Sequence, residues 1–306
     1  MTGRRAPLLA LAAGLVLPGL GQIYCGEVVR GVSVLLTMAI LPPVTAWLAL
    51  TAPARTLWLV VLAGALAGLG LYAWAVIDAW RLARRAPDRK SVWQRPHVYL
   101  LCTVAAYWLV FGPLVGFARE HLLETFYAPT ASMLPNLSPG DRFLVDKRVN
   151  RPGGLALWRG AVAIFIHPNQ RTTVYVKRII GLPGDRVELD GASLRVNGRE
   201  LRGAEVHDLG NPAQNRLLAD HVAYRESGER GSYTVLWKKE EQTTKATFTV
   251  PGGQVFLLGD NRDASHDSRQ FGAVPLSDVK AVARQVVFSY HAGEGLDWSR
   301  CGKLIE

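Results

Sequence analysis

Four long apolar runs, at about 7–24, 31–50, 57–79 and 97–117, fill the first third of this chain. Each approaches the roughly 20 residues that an α-helix needs to cross a bilayer. Lipid offers the backbone no hydrogen-bond partners, so runs of this kind can only be helices. The first is interrupted by Pro18-Gly19-Leu20-Gly21-Gln22, and it is expected to enter the membrane and return rather than to cross. Hydrophobic residues make up 49% of the chain, an ordinary soluble value. That mean hides a split between the apolar first part, up to about residue 118, and a remainder that alternates apolar and polar residues and holds most of the charge. A membrane region followed by a globular domain is the only organisation compatible with both halves.

The formal net charge of +10 would suit nucleic acid if the basic residues formed one patch, which they do not. Many stand instead at the edges of the apolar runs: Arg4, Arg5, Arg81, Arg84, Arg85, Arg89, Lys90 and Arg95. Basic residues beside spans mark the cytoplasmic side. The cluster from Arg81 to Arg95 therefore stays inside, and the run at 97–117 carries the globular part across. Counting back, Arg4 and Arg5 are also inside only if the first run does not cross. The glycines from Gly19 to Gly31 suit close helix packing. Cys25, Cys102 and Cys301 form neither a disulfide framework nor a zinc cluster and read as free thiols, so the globular part depends on its own core.

Short alternating segments recur beyond Lys147: 161–166, 172–180, 186–189, 193–196, 232–237, 247–250, 254–258 and 282–290. Turn residues separate them, with Asn197-Gly198 a strong hairpin signal. The pattern predicts a mostly antiparallel β domain, barrel-like or sandwich-like. The polar stretch at about 200–230 reads as an irregular, exposed insertion.

Three places in this domain carry candidate chemistry. Pro129 and Pro135 bracket Ser132, which puts a hydroxyl on a stiff, irregular segment. In Thr173–Ile180 the period of two sets Lys177 between Tyr175 and Ile179 on one strand face. An ammonium among apolar neighbours loses its proton more easily, although an edge strand would let the same lysine reach water. The loop from Gly259 to Gly272 follows a strand and is dense in hydrogen-bonding side chains. Its Ser265-His266-Asp267 invites a triad reading, but neighbours in a chain point in different directions and do not assemble into one. His266 is therefore read as an ordinary loop residue.

Together these segments resemble the bacterial type I signal peptidases, membrane-anchored Ser-Lys endopeptidases. The resemblance rests on Pro129-Thr-Ala-Ser-Met-Leu-Pro135, Gly140-Asp141 with Lys147, Arg159-Gly160 leading to Phe165, Tyr175-Val-Lys-Arg-Ile-Ile-Gly-Leu-Pro-Gly-Asp185, and Gly259-Asp-Asn-Arg262 through Arg269. These five motifs stand in the family's order over most of residues 126–290 and leave residues 1–95 uncovered. The resemblance implies an N-terminal α-helical transmembrane region followed by a signal-peptidase/LexA-like, mostly antiparallel β fold. The implied division is a multi-span region of unknown role at 1–95, an anchor at 96–118, and a peptidase domain at 119–306 outside the cytoplasm.

Residue by residue, the resemblance makes Ser132 the nucleophile and Lys177 the general base. Ser265 would orient the lysine, and Thr130 would donate to the oxyanion. Asp267, Arg262 and Arg269 would brace the site, while Ala128, Pro129, Met133, Leu137, Tyr175 and Val176 would line small-residue pockets. It implies no metal or other cofactor. The expected partners are the lipid bilayer and exported precursors with signal peptides, cut after small residues of the Ala-x-Ala kind, by a monomer that binds no nucleic acid. Two departures from the family pattern stand out, Ala161 where Asp is common and Ala264 where Asn is frequent. A soluble repressor-type protease would use the same Ser-Lys pair but lack the apolar spans. A non-catalytic binding protein on this fold would be expected to lack Ser132, Lys177 or Ser265, and all are present.

Overall fold

The computed structural model describes residues 6–51, 56–85, 96–149, 156–210, 212–239, 245–291 and 295–305. The basic residues Arg4, Arg5, Arg89, Lys90 and Arg95, used above for orientation, lie outside the described residues. The chain divides into two compact units, Met1–Leu122 and Leu123–Glu306.

The first unit is helical. Helices α1 (Pro7–Val16), α2 (Leu20–Tyr24), α3 (Val28–Thr51) and α4 (Leu57–Arg85) are followed by α5 (Pro96–Ala105), a π-helical stretch at Ala106–Phe111, and α6 (Gly112–His121). Three segments, Val28–Ala49, Leu59–Arg85 and His97–Phe117, are long and apolar enough to cross a membrane. Helix α1 is not, because 10 residues reach only about 15 Å, half of the hydrocarbon thickness. Leu17 is extended and Gly19 takes φ 97°, so the helix stops at the Pro18-Gly19 break and restarts as α2. A Cβ at Gly21 would fall 2.6 Å from Ala79 Cβ and 2.5 Å from Ala10 O, so only glycine lets α2 lie against α1 and α4. Polar side chains tie the same contact: Gln22 Nε2 donates to Ala75 O (2.7 Å) and Asp78 Oδ2 (3.1 Å), and Arg30 Nη2 pairs with Asp78 Oδ1 at 2.6 Å.

In the second unit the strands are β1 (Leu123–Tyr127), β2 (Asp141–Asp146), β3 (Val162–His167), β4 (Gln170–Gly181), β5 (Arg186–Asp190), β6 (Ser193–Val196) and β7 (Arg199–Glu200). They continue as β8 (Arg202–Val206), β9 (His221–Ser227), β10 (Ser232–Lys238), β11 (Lys245–Thr249), β12 (Gln254–Leu258), β13 (Val274–Pro275), β14 (Val279–His291) and β15 (Gly295–Leu296). The main sheet runs β1-β2-β14-β3-β4-β12-β13, with β15 beside β14; smaller sheets run β10-β9-β8 and β11-β5-β6-β7. All these ladders are antiparallel, so the expected fold class is the one observed. At the β6–β7 turn both Asn197 (φ 51°) and Gly198 (φ 78°) are left-handed, as a two-residue hairpin with that sequence requires.

One sequence expectation is corrected. The stretch 200–230 is not irregular: β8 and β9 fall within it and pair with each other, and β9 pairs in turn with β10, while a short helix, α7 (Pro212–Asn215), lies between β8 and β9. Its outer strand β8 is exposed, which explains the polarity. In β9 the two buried residues, Ala223 and Glu226, are three apart and so face opposite sides of the strand, and one of them is a carboxylate, so no alternation shows in hydropathy.

Strand β4 is what positions the site. It lies between β3 and β12, with Ala163 opposite Lys177 and Val162 opposite Arg178. Its outer half alternates, but from Lys177 to Gly181 every residue is buried. Both faces are covered there, and Lys177 therefore has no edge from which to reach water.

Candidate active site

Thr130 is extended and Ala131–Met133 forms a single 3-10 turn, followed by a cis peptide bond between Leu134 and Pro135. Met133 and Leu137 are buried beneath this turn, which anchors it to the core. From the far side the Asn261 N–H donates to Ser132 O (3.1 Å) and Asn261 Nδ2 to Ala131 O (3.3 Å). The turn is thus held from both ends, and the Ser132 hydroxyl occupies a fixed position.

Lys177 Nζ lies 2.8 Å from Ser132 Oγ. The lysine is only 3% exposed, and burial lowers its pKa from the usual 10.5 to about 8. The Asp267 and Asp260 carboxylates oppose that fall, while Arg269 adds to it. A buried amine is expected to behave in this way, since a low dielectric disfavours the charged form. Thr130 Oγ1 stands 3.2 Å from Ser132 Oγ, so a second hydroxyl faces the same point.

The loop after β12 packs tightly against the serine turn. A Cβ at Gly259 would fall 2.1 Å from Ser265 Oγ and 2.7 Å from Ser132 O, so only glycine allows this approach. Asp267 caps the short helix α8 (Ser268–Phe271) through a capping box with Gln270. It also accepts from the Gly259 N–H (3.0 Å) and from Arg269 Nε (2.8 Å). Burial alone would raise its pKa, but Arg269 and the Gly259 N–H hold it below the usual carboxylate range. Arg262 Nε donates to Gly259 O at 3.0 Å. The three residues expected to brace the site are thus found together in this loop, and none touches Ser132 Oγ.

Ser265 differs from the expectation. The resemblance implies a hydroxyl bonded to the lysine, whereas Ser265 Oγ has no hydrogen-bond partner of good geometry. The lysine amine is directed at Ser132, and Ser265 packs against Gly259.

A cavity of about 480 Å³ opens over the two groups. Ala128, Pro129, Met133, Leu137, Tyr175 and Val176, the residues expected to line pockets, all border it with Thr130, Ser132 and Lys177. Of the two departures, Ala264 borders the cavity, while Ala161 is buried in β3's neighbouring core. Arg159 next to it reaches Asp185 through Nε and Nη2, both at 2.7 Å.

Several contributors escaped the sequence reading. His266 is exposed at the cavity rim and stacks on Phe271 at 5.5 Å. Arg178, next to Lys177, is fully buried and grips Asp260 with two 2.7 Å bonds while lying over the Tyr233 ring at 3.8 Å. Asn136 Nδ2 joins the same carboxylate at 2.7 Å. Arg300 pairs with Asp141, the first residue of β2, just past the serine segment. A signal for the first pair was present, an arginine on an otherwise apolar strand face, because a charge there demands a buried partner.

A buried amine aimed at a buried hydroxyl, on a β domain that follows apolar helices in the sequence, fits a membrane-associated hydrolase. A family model described as signal peptidase, peptidase S26 matches residues 101–288. The chain belongs to that peptidase family. Signal peptidase I of Buchnera aphidicola subsp. Acyrthosiphon pisum is 28% identical over 253 residues, covering 65% of this chain and 78% of the relative. That of Bacillus caldolyticus is 33% identical over 172 residues, covering 56% and 83%. A crystal structure of a signal peptidase I from Enterococcus faecalis V583 is 28% identical with a TM-score of 0.30, covering 42% of this chain and 97% of that one.

Proposed function

We propose that this protein is a signal peptidase I that cuts signal peptides from exported precursors after small residues, with Ser132 as nucleophile and Lys177 as general base. The observation that carries the reading is the 2.8 Å separation between Lys177 Nζ and Ser132 Oγ, with a lysine pKa lowered to about 8. A serine hydroxyl attacks poorly unless a base takes its proton, and a neutral amine can do this. The Ser132 proton passes to Lys177 as Oγ bonds to the scissile carbonyl carbon. The resulting oxyanion is held by the Ser132 backbone N–H and the Thr130 hydroxyl. Collapse breaks the C–N bond, and the leaving amine takes the proton from the Lys177 ammonium. Lys177 then deprotonates water, which hydrolyses the ester and restores both groups. The extended precursor lies as an added strand along the cavity, where Ala128, Met133 and Leu137 favour small side chains.

The arrangement in the cell follows from charge. Basic residues between Arg81 and Arg95 stay cytoplasmic, the segment at 96–118 is the anchor, and residues 119–306 act outside the cytoplasm. Residues 1–95 form a separate membrane region, and the protein works as a monomer in the bilayer.

The test is cleavage of a precursor peptide with Ala-x-Ala before the cut by the purified full-length protein in detergent. Ser132→Ala and Lys177→Met should each abolish turnover, and the double variant should be no worse, because the two act as one unit. In the wild type kcat/KM should rise with pH and level off above the lysine pKa of about 8, since the free base is the active form. Substantial turnover by either single variant would sink the assignment.

A further inference from the structure

Glu226 lies in the polar stretch between residues 200 and 230, yet its carboxylate is completely buried. A buried charge is tolerated only when it is paired. Its partner is Arg262, also completely buried, whose Nη2 donates to Glu226 Oε2. Trp237 of β10 lies beneath the guanidinium, 5.4 Å from its carbon. Strands β9 and β10 therefore grip one residue of the catalytic loop from behind.

What Arg262 does with its remaining groups shows where that grip leads. Its Nε donates to Gly259 O, and its backbone oxygen accepts from Arg269 Nη2. Arg269 in turn holds Asp267, which accepts from the Gly259 N–H. Both backbone polar groups of Gly259 are thereby fixed. Gly259 is the residue that crowds Ser132 O and Ser265, and Asn261, two positions on, donates to Ser132 O. The chain of contacts runs from Glu226 to the backbone of the nucleophile without touching the reacting atoms.

Stability alone does not account for the pair. Well-packed apolar residues of similar volume commonly replace a buried ion pair without loss. This one also leaves Glu226 Oε1, Arg262 Nη1 and Trp237 Nε1 without hydrogen-bond partners, which is a cost. What an apolar pair could not supply is direction, because the guanidinium is a planar fork that fixes where Nε points.

We propose that Glu226 is a positioning residue for the peptidase reaction, acting through Arg262 to hold the 259–269 loop against Ser132 and Lys177. The inference rests on the Ser132–Lys177 reading given above. It makes the small β8–β10 sheet part of the catalytic apparatus.

The test uses full-length protein in detergent with a precursor peptide as substrate, each variant assayed well below its own Tm. Glu226→Gln keeps the shape and removes the charge, leaving Arg262 buried and unpaired. The double variant Glu226→Met/Arg262→Met removes both charges, and an apolar replacement of this kind is expected to stay folded. In both, kcat should fall by roughly 10²-fold, the loss typical of a displacement of about 1 Å at a reacting group. KM should stay within a few-fold, and the acid limb of kcat/KM should leave its wild-type position, because Asp267 and Arg269 both act on the Lys177 pKa. A double variant that is folded and has wild-type kcat and pH profile would overturn the proposal. If the double variant does not fold, Glu226→Gln decides alone, and a lower Tm with unchanged kcat and pH profile refutes a positioning role. Ser132→Ala is run in parallel. If it keeps activity, the dyad reading has failed; if it is inactive while the Glu226 variants match wild type, only the present inference has.

Discussion

Replacing Lys177 by Met removes the amine from the site, and the energetic consequence for the fold can be worked from its pKa. The amine falls from the usual 10.5 to about 8 on burial, and at 1.36 kcal/mol per pH unit the difference corresponds to about 3 kcal/mol. The sign follows from where the proton sits. Below pH 8 the amine is protonated in both the folded and unfolded chain, and the folded state bears the whole cost of a buried ammonium. Between 8 and 10.5 the unfolded chain keeps its proton while the folded one has lost it, so the cost shrinks with rising pH and is gone above 10.5. Methionine has similar length and no charge, and Ser132 Oγ retains Thr130 at 3.2 Å, so no hydroxyl is orphaned. Allowing about 1 kcal/mol for the lost hydrogen bond, the Met variant should be stabler than wild type by about 2 kcal/mol at pH 7. For a unit of this size that is a rise in Tm of roughly 4–8 °C. Thermal unfolding of the full-length protein in detergent, followed by near-ultraviolet circular dichroism from pH 7 to pH 10, measures it. The gap should close as the pH rises. A gap that is the same at both ends, or a Met variant less stable throughout, would refute the claim that burial of the ammonium sets the lysine pKa.

Other outcomes follow from particular contacts. Thr130→Val keeps the shape and removes the hydroxyl, so kcat should fall by about 10²–10³-fold with little change in KM, whereas Thr130→Ser should stay active. Gly259→Ala would force a Cβ to within 2.1 Å of Ser265 Oγ and 2.7 Å of Ser132 O. It should therefore abolish turnover and lower Tm, and normal kcat in that variant would contradict the described packing. For topology, single cysteines are introduced into a background lacking the three native ones. A cysteine at position 90 should be labelled only from the cytoplasm and one replacing the exposed His207 only from outside; labelling of both from one side would reject the proposed orientation.

The fold was legible wherever burial repeats in a simple period. The apolar runs gave the helices, and the break at Pro18-Gly19 gave the stop between α1 and α2, because proline and left-handed glycine act locally. Asn197-Gly198 likewise sets its turn without help from the rest of the chain. Strand β9 was not legible. Its buried position 226 is a carboxylate whose partner, Arg262, lies 36 residues away, and hydropathy counts both as surface. Segments whose interior is held by ion pairs look like loops to any reading that equates charge with water.

The same physics decides how much of the site could be read. Ser132 and the loop from Gly259 are marked by prolines, glycines and dense polarity, which are local signals. Lys177 is different, for its period of two is written in the sequence but its isolation from water is not. That isolation comes from pairing with β3 on one side and β12 on the other, and from cover on both faces between Lys177 and Gly181. The neighbouring Arg178 is equally buried, yet its two bonds to Asp260 keep its charge satisfied. Lys177 meets a neutral hydroxyl at 2.8 Å and the Tyr175 ring at 5.5 Å. Two adjacent basic residues under the same cover thus differ: Arg178 is tied to a carboxylate of the loop, whereas Lys177, with no carboxylate in direct contact, has its pKa lowered by burial to about 8. A carboxylate placed in contact with Lys177 Nζ would be expected to undo that difference, because an opposite charge at such range favours the ammonium, and under the proposed mechanism it would leave Ser132 without a base.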